Sequence, residues 1–345
     1  MSSAIPTGAG AGPTGAAANS TATSTIPATT PTPAPTTATS AGAPLLAFEN
    51  VTKWYGAVTA LMDVSFEVGH EVVGLVGRNG VGKSTLLKLA AGLLHPSQGR
   101  VSVMGFGAQS LEARARLGFS PDFDRLYESL RGRDFVAWML RYHGLGAAAA
   151  RQRAEEVLDQ LGLGSHMHRR VREYSKGMRQ RVRLAQALAH RPKVMLLDEP
   201  MTGLDPVARA ELSATIVALP KQGVGVLVSS HVLHELEAIV DRVVLVHQGR
   251  LLGEGRVADL REQIPGKPKK FRIAGGNLRG LAAKLVAMPQ VLGTTIVEDA
   301  LHVTVGDMQG FHSALTNLAA HWSEGVREIA PLDDDLAFVF EHLVG

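Results

Sequence analysis

The stretch that most restricts what this chain can fold into is VVGLVGRNGVGKSTLLKLAAGLL, from Val72 to Leu94. A short apolar run bounded by glycines reads as a buried strand, and the apolar spacing after Ser84 reads as a helix. The glycines therefore occupy a strand-to-helix turn. Within it, Gly77 to Ser84 fits the G-x-x-x-x-G-K-[ST] pattern. Glycines let backbone amides wrap phosphate oxygens at the positive end of a helix. The cradle is expected to comprise Gly77, Arg78, Asn79, Gly80, Val81 and Gly82, with Lys83 neutralising the outer phosphates. Ser84 is expected to ligate Mg2+, with Thr85 beside it at the helix start. Strand, loop and helix in this order predict an α/β P-loop fold that holds a nucleoside triphosphate.

A second apolar strand, VMLLDEP, ends in two adjacent acids. At a strand end beside a triphosphate, Asp198 can reach magnesium through water. Glu199 can polarise the water that attacks the γ-phosphate.

Composition narrows the surroundings. The 345 residues contain no obvious repeat and predict about two domains. A formal net charge of +3 demands no polyanionic partner. The absence of Cys excludes disulfides, zinc ribbons and a thiol nucleophile, and is compatible with a reducing cytoplasm. Met1 to Phe48 has no charged residue and is rich in Ala, Thr, Ser, Pro and Gly, which predicts a disordered tail over 1–44. It lacks the basic start of a signal peptide and the Arg of a transit peptide. No run of some eighteen apolar residues occurs, so any membrane role requires a partner.

Upstream of the acidic strand lies REYSKGMRQRVRLAQALAHRP, where Ser and Gly precede a helix with Val182, Ala185, Leu188 and Ala189 at helical spacing. From Leu46 to Val257 the chain resembles the nucleotide-binding subunits of ATP-binding cassette (ABC) transporters. Their signature, commonly LSGGQ, stands here as Tyr174-Ser175-Lys176-Gly177-Met178. The resemblance implies an ABC ATPase domain with an inserted helical subdomain, binding ATP and Mg2+. It also implies a homodimer or heterodimer of ATPase subunits, in which Ser175, Lys176, Gly177 and Met178 close over the partner's ATP. Tyr55 matches the aromatic that stacks on adenine, Asp205 of MTGLD the loop joining the two sites, and His231 of VLVSSH the switch histidine beside Glu199. In LGFSPDFDRLY the family's usual Gln or Glu is replaced by Asp122. It is carried over as a metal ligand and γ-phosphate sensor, although its shorter side chain reaches magnesium less easily. YSKGM resembles the variant of the drug, antibiotic and polysaccharide export branch.

The expected organisation is a tail at 1–44, an ABC ATPase domain at 45–262 with its helical subdomain at about 122–172, and a small α+β domain at 266–345. Ser129 to Leu161 reads as helical, with Phe135, Met139 and Tyr142 on one face. The family docks a helix of the membrane subunit near Phe119, Phe123, Leu126 and Tyr127. After the shift at IPGKPKK, alternating and helical patterns follow a β-α-β-β-α-β order. The ending PLDDDLAFVFEHLVG is similar to that of export-type subunits, and Asp333 to Asp335 suit a helix N-terminus.

These features predict an ATP hydrolase at the cytoplasmic face of the cell membrane that drives export through a separate integral membrane permease, with no nucleic acid expected. The alternative is a soluble ABC ATPase acting on ribosomes or DNA. The single cassette and the lack of heptad arms or zinc cysteines argue against it. A kinase is disfavoured by the signature helix and the Asp-Glu pair.

Overall fold

A computed structural model describes residues 43–122, 126–262, 269–322 and 325–331. The expected tail up to residue 42, Phe123, most of the composition shift at 263–268 and the acidic ending at 332–345, with Asp333 to Asp335, lie outside the described residues.

In chain order, β1 (Leu46–Tyr55) and β2 (Val58–Val68) form a hairpin and lead into β3 (Val72–Val76) and α1 (Lys83–Ala90). Next come β4 (Gln98–Val103), β5 (Phe106–Gly107), α2 (Leu111–Ala115) and β6 (Leu117–Ser120). A helical stretch follows with α3 (Gly132–Tyr142), α4 (Ala147–Gln160) and α5 (Lys176–Leu188). The chain then alternates through β7 (Val194–Asp198), α6 (Pro206–Ala218), β8 (Gly225–Ser230), α7 (Leu233–Glu237), β9 (Arg242–His247), β10 (Arg250–Gly255) and α8 (Val257–Glu262). The last elements are β11 (Lys269–Gly275), α9 (Leu278–Val286), β12 (Val291–Val297), β13 (Ala300–Val305), α10 (Met308–His321) and β14 (Val326–Pro331).

The site rests on a six-stranded sheet of order β10-β9-β3-β8-β7-β6, parallel throughout except for β10. Its central strands are buried along their whole length. Strands covered on both faces read as unbroken apolar runs rather than as alternation, which is how VVGLV and VMLLD appear. One face packs on the helical stretch and α6 through Leu140, Leu158, Val182, Leu197 and Leu212. The other packs on α1 and on an antiparallel sheet of order β2-β1-β4-β5, through Leu86, Leu75 and the stacked rings of Phe48 and Phe66. Each such side chain contributes about 1.5–3 kcal/mol on burial.

The span Ser129 to Leu161, expected to be helical, holds two helices. The chain leaves α3 at His143 and turns through Gly144, whose φ of +86° favours glycine. Phe135 is buried, but Tyr142, expected on the same face, is the last residue of α3 and stands 74% exposed. Tyr142, Trp138 and Tyr127 instead form an exposed run of rings, with successive centroids 5.9 and 5.4 Å apart. At the end of α3, His143 stacks on His190 at 4.0 Å. His190 donates through Nε2 to the Leu117 carbonyl at 3.1 Å, and its Nδ1 is buried without a hydrogen-bond partner among the described residues.

From β11 onward a third sheet has the order β12-β13-β11-β14, all antiparallel. Phe271, Ile273, Leu301 and Val303 face α9 and α10 through Leu281, Leu285, Phe311 and Leu315. The element order is β-α-β-β-α-β.

Candidate active site

Because β3, β8 and β7 are adjacent parallel strands, their carboxyl ends place the Gly77–Ser84 loop, Ser230-His231 and Asp198-Glu199 side by side. Open parallel sheets bind ligands in this crevice. The loop backbone needs its glycines. A Cβ on Gly77 would lie 2.5 Å from the Val246 carbonyl oxygen, and Gly82 has φ of +114°. Gly82 is also the N-cap of α1, so no side chain caps the helix and no acid occupies its first turn. Its free amides are left for an anion.

Lys83 is buried at 7% exposure, and its Nζ donates to the carbonyls of Gly77 and Arg78 at 2.5 and 3.1 Å. Burial holds its pKa below the usual lysine value, while the carboxylates of Glu199 and Asp198 pull it back up. That balance suits a cation that meets phosphate in a dry site.

Asp198 accepts through Oδ1 from Ser229 Oγ at 2.7 Å and from Ser84 Oγ at 3.5 Å. Ser229 Oγ also accepts from the Glu199 amide at 3.1 Å, so this fully buried hydroxyl joins both acids. The Glu199 backbone is left-handed, with φ of +50°. Its Oε2 accepts from His231 Nδ1 at 2.7 Å and from Thr202 Oγ1 at 3.1 Å. Since a carboxylate only accepts, His231 donates to it through Nδ1. Sequence reasoning missed Ser229 and Thr202. The signal for Ser229 was a polar residue in the otherwise apolar strand VLVSS, whereas Thr202 gave none.

Asp122 lies exposed beyond β6 within electrostatic reach of this cluster. Partial burial, then the charges of Asp198 and Glu199, push its carboxyl above the usual range, against the pull of Arg183 and His231. Arg183, from α5, also donates to the Pro121 carbonyl at 3.4 Å, so the signature helix touches the Asp122 loop. Tyr55 stands 46% exposed at the end of β1, with Lys53 Nζ 5.3 Å from its ring centre. Its hairpin abuts the phosphate loop, since the Ala60 carbonyl lies 3.0 Å from where a Cβ on Gly82 would sit.

The signature residues form a different constellation. Ser175 caps α5 by accepting from the Met178 amide at 3.2 Å. A Cβ on Gly177 would lie 3.3 Å from Ala208 Cβ. The Lys176 side chain lies across Gly203, where a Cβ would come within 2.8 Å of its Cε. Asp205 caps α6, accepting from the Ala208 amide at 2.9 Å. No hydrogen bond or ion pair among the described residues joins Ser175–Met178 to their own phosphate loop.

A divalent cation fits the donors present. Ser84 and Asp198 offer hard oxygens, and Mg2+ keeps several waters and takes one or two protein ligands alongside phosphate. Among the described residues no group of three or more His, Asp or Glu could hold a metal ion.

Residues 61–202 match the protein family described as ABC transporter. The chain is 33% identical over 305 residues to a daunorubicin resistance ATP-binding protein of Streptomyces coeruleorubidus, covering 87% of this chain and 96% of that one. It is 38% identical over 211 residues to the Nod factor export ATP-binding protein I of Burkholderia orbicola (strain AU 1054), covering 60% and 69%. Among solved structures, an ATP-binding cassette in a dimeric post-hydrolysis state bound to ADP and Pi aligns at a TM-score of 0.57 with 26% identity, covering 61% of this chain and 98% of that one.

Proposed function

Because the chain belongs to the ATP-binding proteins of ABC transporters, we propose that it is the ATPase subunit of an exporter, closing as a dimer on ATP and driving a separate integral membrane permease. The observation that carries the hydrolytic part is Glu199, held by His231 and Thr202 beside the Asp198–Ser229 pair at the mouth of the phosphate loop. Residues 45–262 form the ATPase domain in this reading, and 266–345 an accessory domain.

The loop amides and Lys83 bind the phosphates. Ser84 and Asp198 would hold Mg2+, with Asp122 at the edge of that shell, and the cation supplies charge neutralisation across the phosphate oxygens. Glu199 orients the attacking water and takes its proton, while His231 fixes the carboxylate through Nδ1 and donates from Nε2–H to a γ-phosphate oxygen. The products are ADP and phosphate. Tyr55 stacks on the adenine. Ser175, Lys176, Gly177 and Met178 meet the partner's ATP, and Asp205 lies in the loop between the two sites.

Export is supported by the YSKGM signature and by the relatives named for daunorubicin resistance and Nod factor export. No helix among the described residues is long and apolar enough to cross a membrane. The permease meets the chain near Phe119, Leu126 and the exposed ring of Tyr127, at the cytoplasmic face.

Two variants test the site. Glu199→Gln is expected to keep ATP affinity, lose about 10²-fold or more in turnover and accumulate an ATP-bound dimer. Lys83→Ala is expected to lose nucleotide binding and never form that dimer. Turnover at the parent rate in Glu199→Gln, measured by phosphate release, would refute the assignment. Co-purification of a permease from detergent-solubilised membranes tests export, and RNase-sensitive sedimentation with ribosomes would favour the soluble alternative.

A further inference from the structure

The two edges of the third sheet are guarded differently. Unpaired edge strands invite pairing with other chains, and proteins blunt them with charge and proline. The β14 edge, VREIAP, carries Arg327, Glu328 and Pro331. The β12 edge, VLGTTIV, is seven residues without a charge or a proline, and exposes Leu292 at 63%, Ile296 at 42% and Val297 at 41%.

The order of residues in β12 identifies its partner. We propose that β12 pairs antiparallel with β12 of a second copy about a two-fold axis through Thr294, making a dimer contact that needs no nucleotide. An isologous contact sets each residue against its mirror position in the same strand. About Thr294, VLGTTIV is nearly palindromic: Val291 opposes Val297, Leu292 opposes Ile296, Gly293 opposes Thr295, and Thr294 opposes itself. Apolar and Thr–Thr cross-strand pairs are the favourable ones. Beyond the strand Glu298 would oppose Gln290, so no like charges meet. The register with β13 is unbroken from Gly293 to Val297, and the one irregularity lies at the Val291 end.

The contact is distinct from the proposed ATP-driven closure, which engages the phosphate loop and the signature residues Ser175–Met178 rather than β12. It holds two copies at high effective concentration after nucleotide leaves, so each new closure is an intramolecular event.

The chain has no Cys, so Thr294→Cys in the full chain introduces the only thiol. Directly opposed residues of an antiparallel pair have Cα atoms about 4.5–5.5 Å apart, within the span of a disulfide. Mild oxidation without nucleotide is expected to give a covalent dimer for Thr294→Cys and none for Arg327→Cys on the guarded edge. Sedimentation velocity of the nucleotide-free parent is expected to show dimer mass, halved by Ile296→Lys. That variant should keep its melting temperature, and in the Glu199→Gln background it should still dimerise on ATP, which separates this contact from the cassette interface. A nucleotide-free monomer with no cross-link at position 294 overturns the proposal. Cross-linking that appears only after residues 332–345 are removed also overturns it, and assigns the edge to that segment.

Discussion

Acidification should weaken the fold at the stacked histidines His143 and His190. Burial, followed by the neighbouring His143, lowers the His190 pKa from 6.5 to about 4, against the pull of its hydrogen bond to Leu117. His143 is shifted down as well, by burial. A folded-state pKa below the unfolded one means that the unfolded chain takes up the proton first as pH falls. The stability is therefore fully present above about 6.5 and lost progressively down to about 4. For His190 alone the loss is about 2 kcal/mol at pH 5, approaching about 3 kcal/mol below pH 4. The probe is His190→Phe, which keeps a ring against His143 but cannot titrate. It forfeits the bond to Leu117, at about 1 kcal/mol regardless of pH. The two proteins are compared by urea unfolding at about pH 7.5 and about pH 5, following the cassette transition. The parent is expected to be the more stable at the higher pH and the variant at the lower, because the parent's proton uptake exceeds the variant's fixed loss. Carboxylates elsewhere titrate alike in both and cancel. A constant gap between the two proteins across the range would refute the reasoning.

Two further substitutions probe the site through its supports. Ser229→Ala removes the 2.7 Å donor of Asp198 Oδ1 and leaves it the 3.5 Å contact with Ser84, while the Glu199 amide keeps the Ser229 carbonyl at 3.2 Å. It should cost about 1–3 kcal/mol in stability, read by denaturant midpoint, and lower kcat at least about 10-fold with little change in ATP affinity. Gly203→Ala adds a Cβ where the Lys176 side chain lies, at a φ of +70°. If that collision matters, the double variant with Lys176→Gly should be less damaged than the single effects sum to, by about 1 kcal/mol or more. Simple additivity in unfolding and in kcat would show that the two residues act independently.

How much of this was legible beforehand depends on whether a residue's partner is close in the sequence. The phosphate loop, the strand ending in Asp198-Glu199 and the helix starting after Ser175 each announce themselves locally, through glycine, apolar runs and a capping hydroxyl. Ser229 and Thr202 do not, because their roles exist only once β7 and β8 are paired. Helical spacing placed Tyr142 with Phe135 correctly as an angle but could not see that α3 ends there. The stacking of His143 on His190 likewise joins residues far apart in the chain. In the third sheet the alternation of Leu301, Val303 and Val305 was readable. That β12 would be an edge strand was not, since strand order follows from pairing.

The left-handed backbone at Glu199 has an evolutionary consequence. A φ of +50° costs a Glu residue about 1–2 kcal/mol that Gly avoids and Asn largely escapes. Selection for folding and selection for chemistry therefore rank the amino acids at this position in different orders. A lineage that stopped needing hydrolysis would gain stability by replacing Glu199 while keeping the buried Asp198–Ser229 pair that the sheet relies on. Copies of this fold that retain the phosphate loop and the strand but carry Gly or Asn after the aspartate would then be former hydrolases, relieved of a strain kept only by turnover.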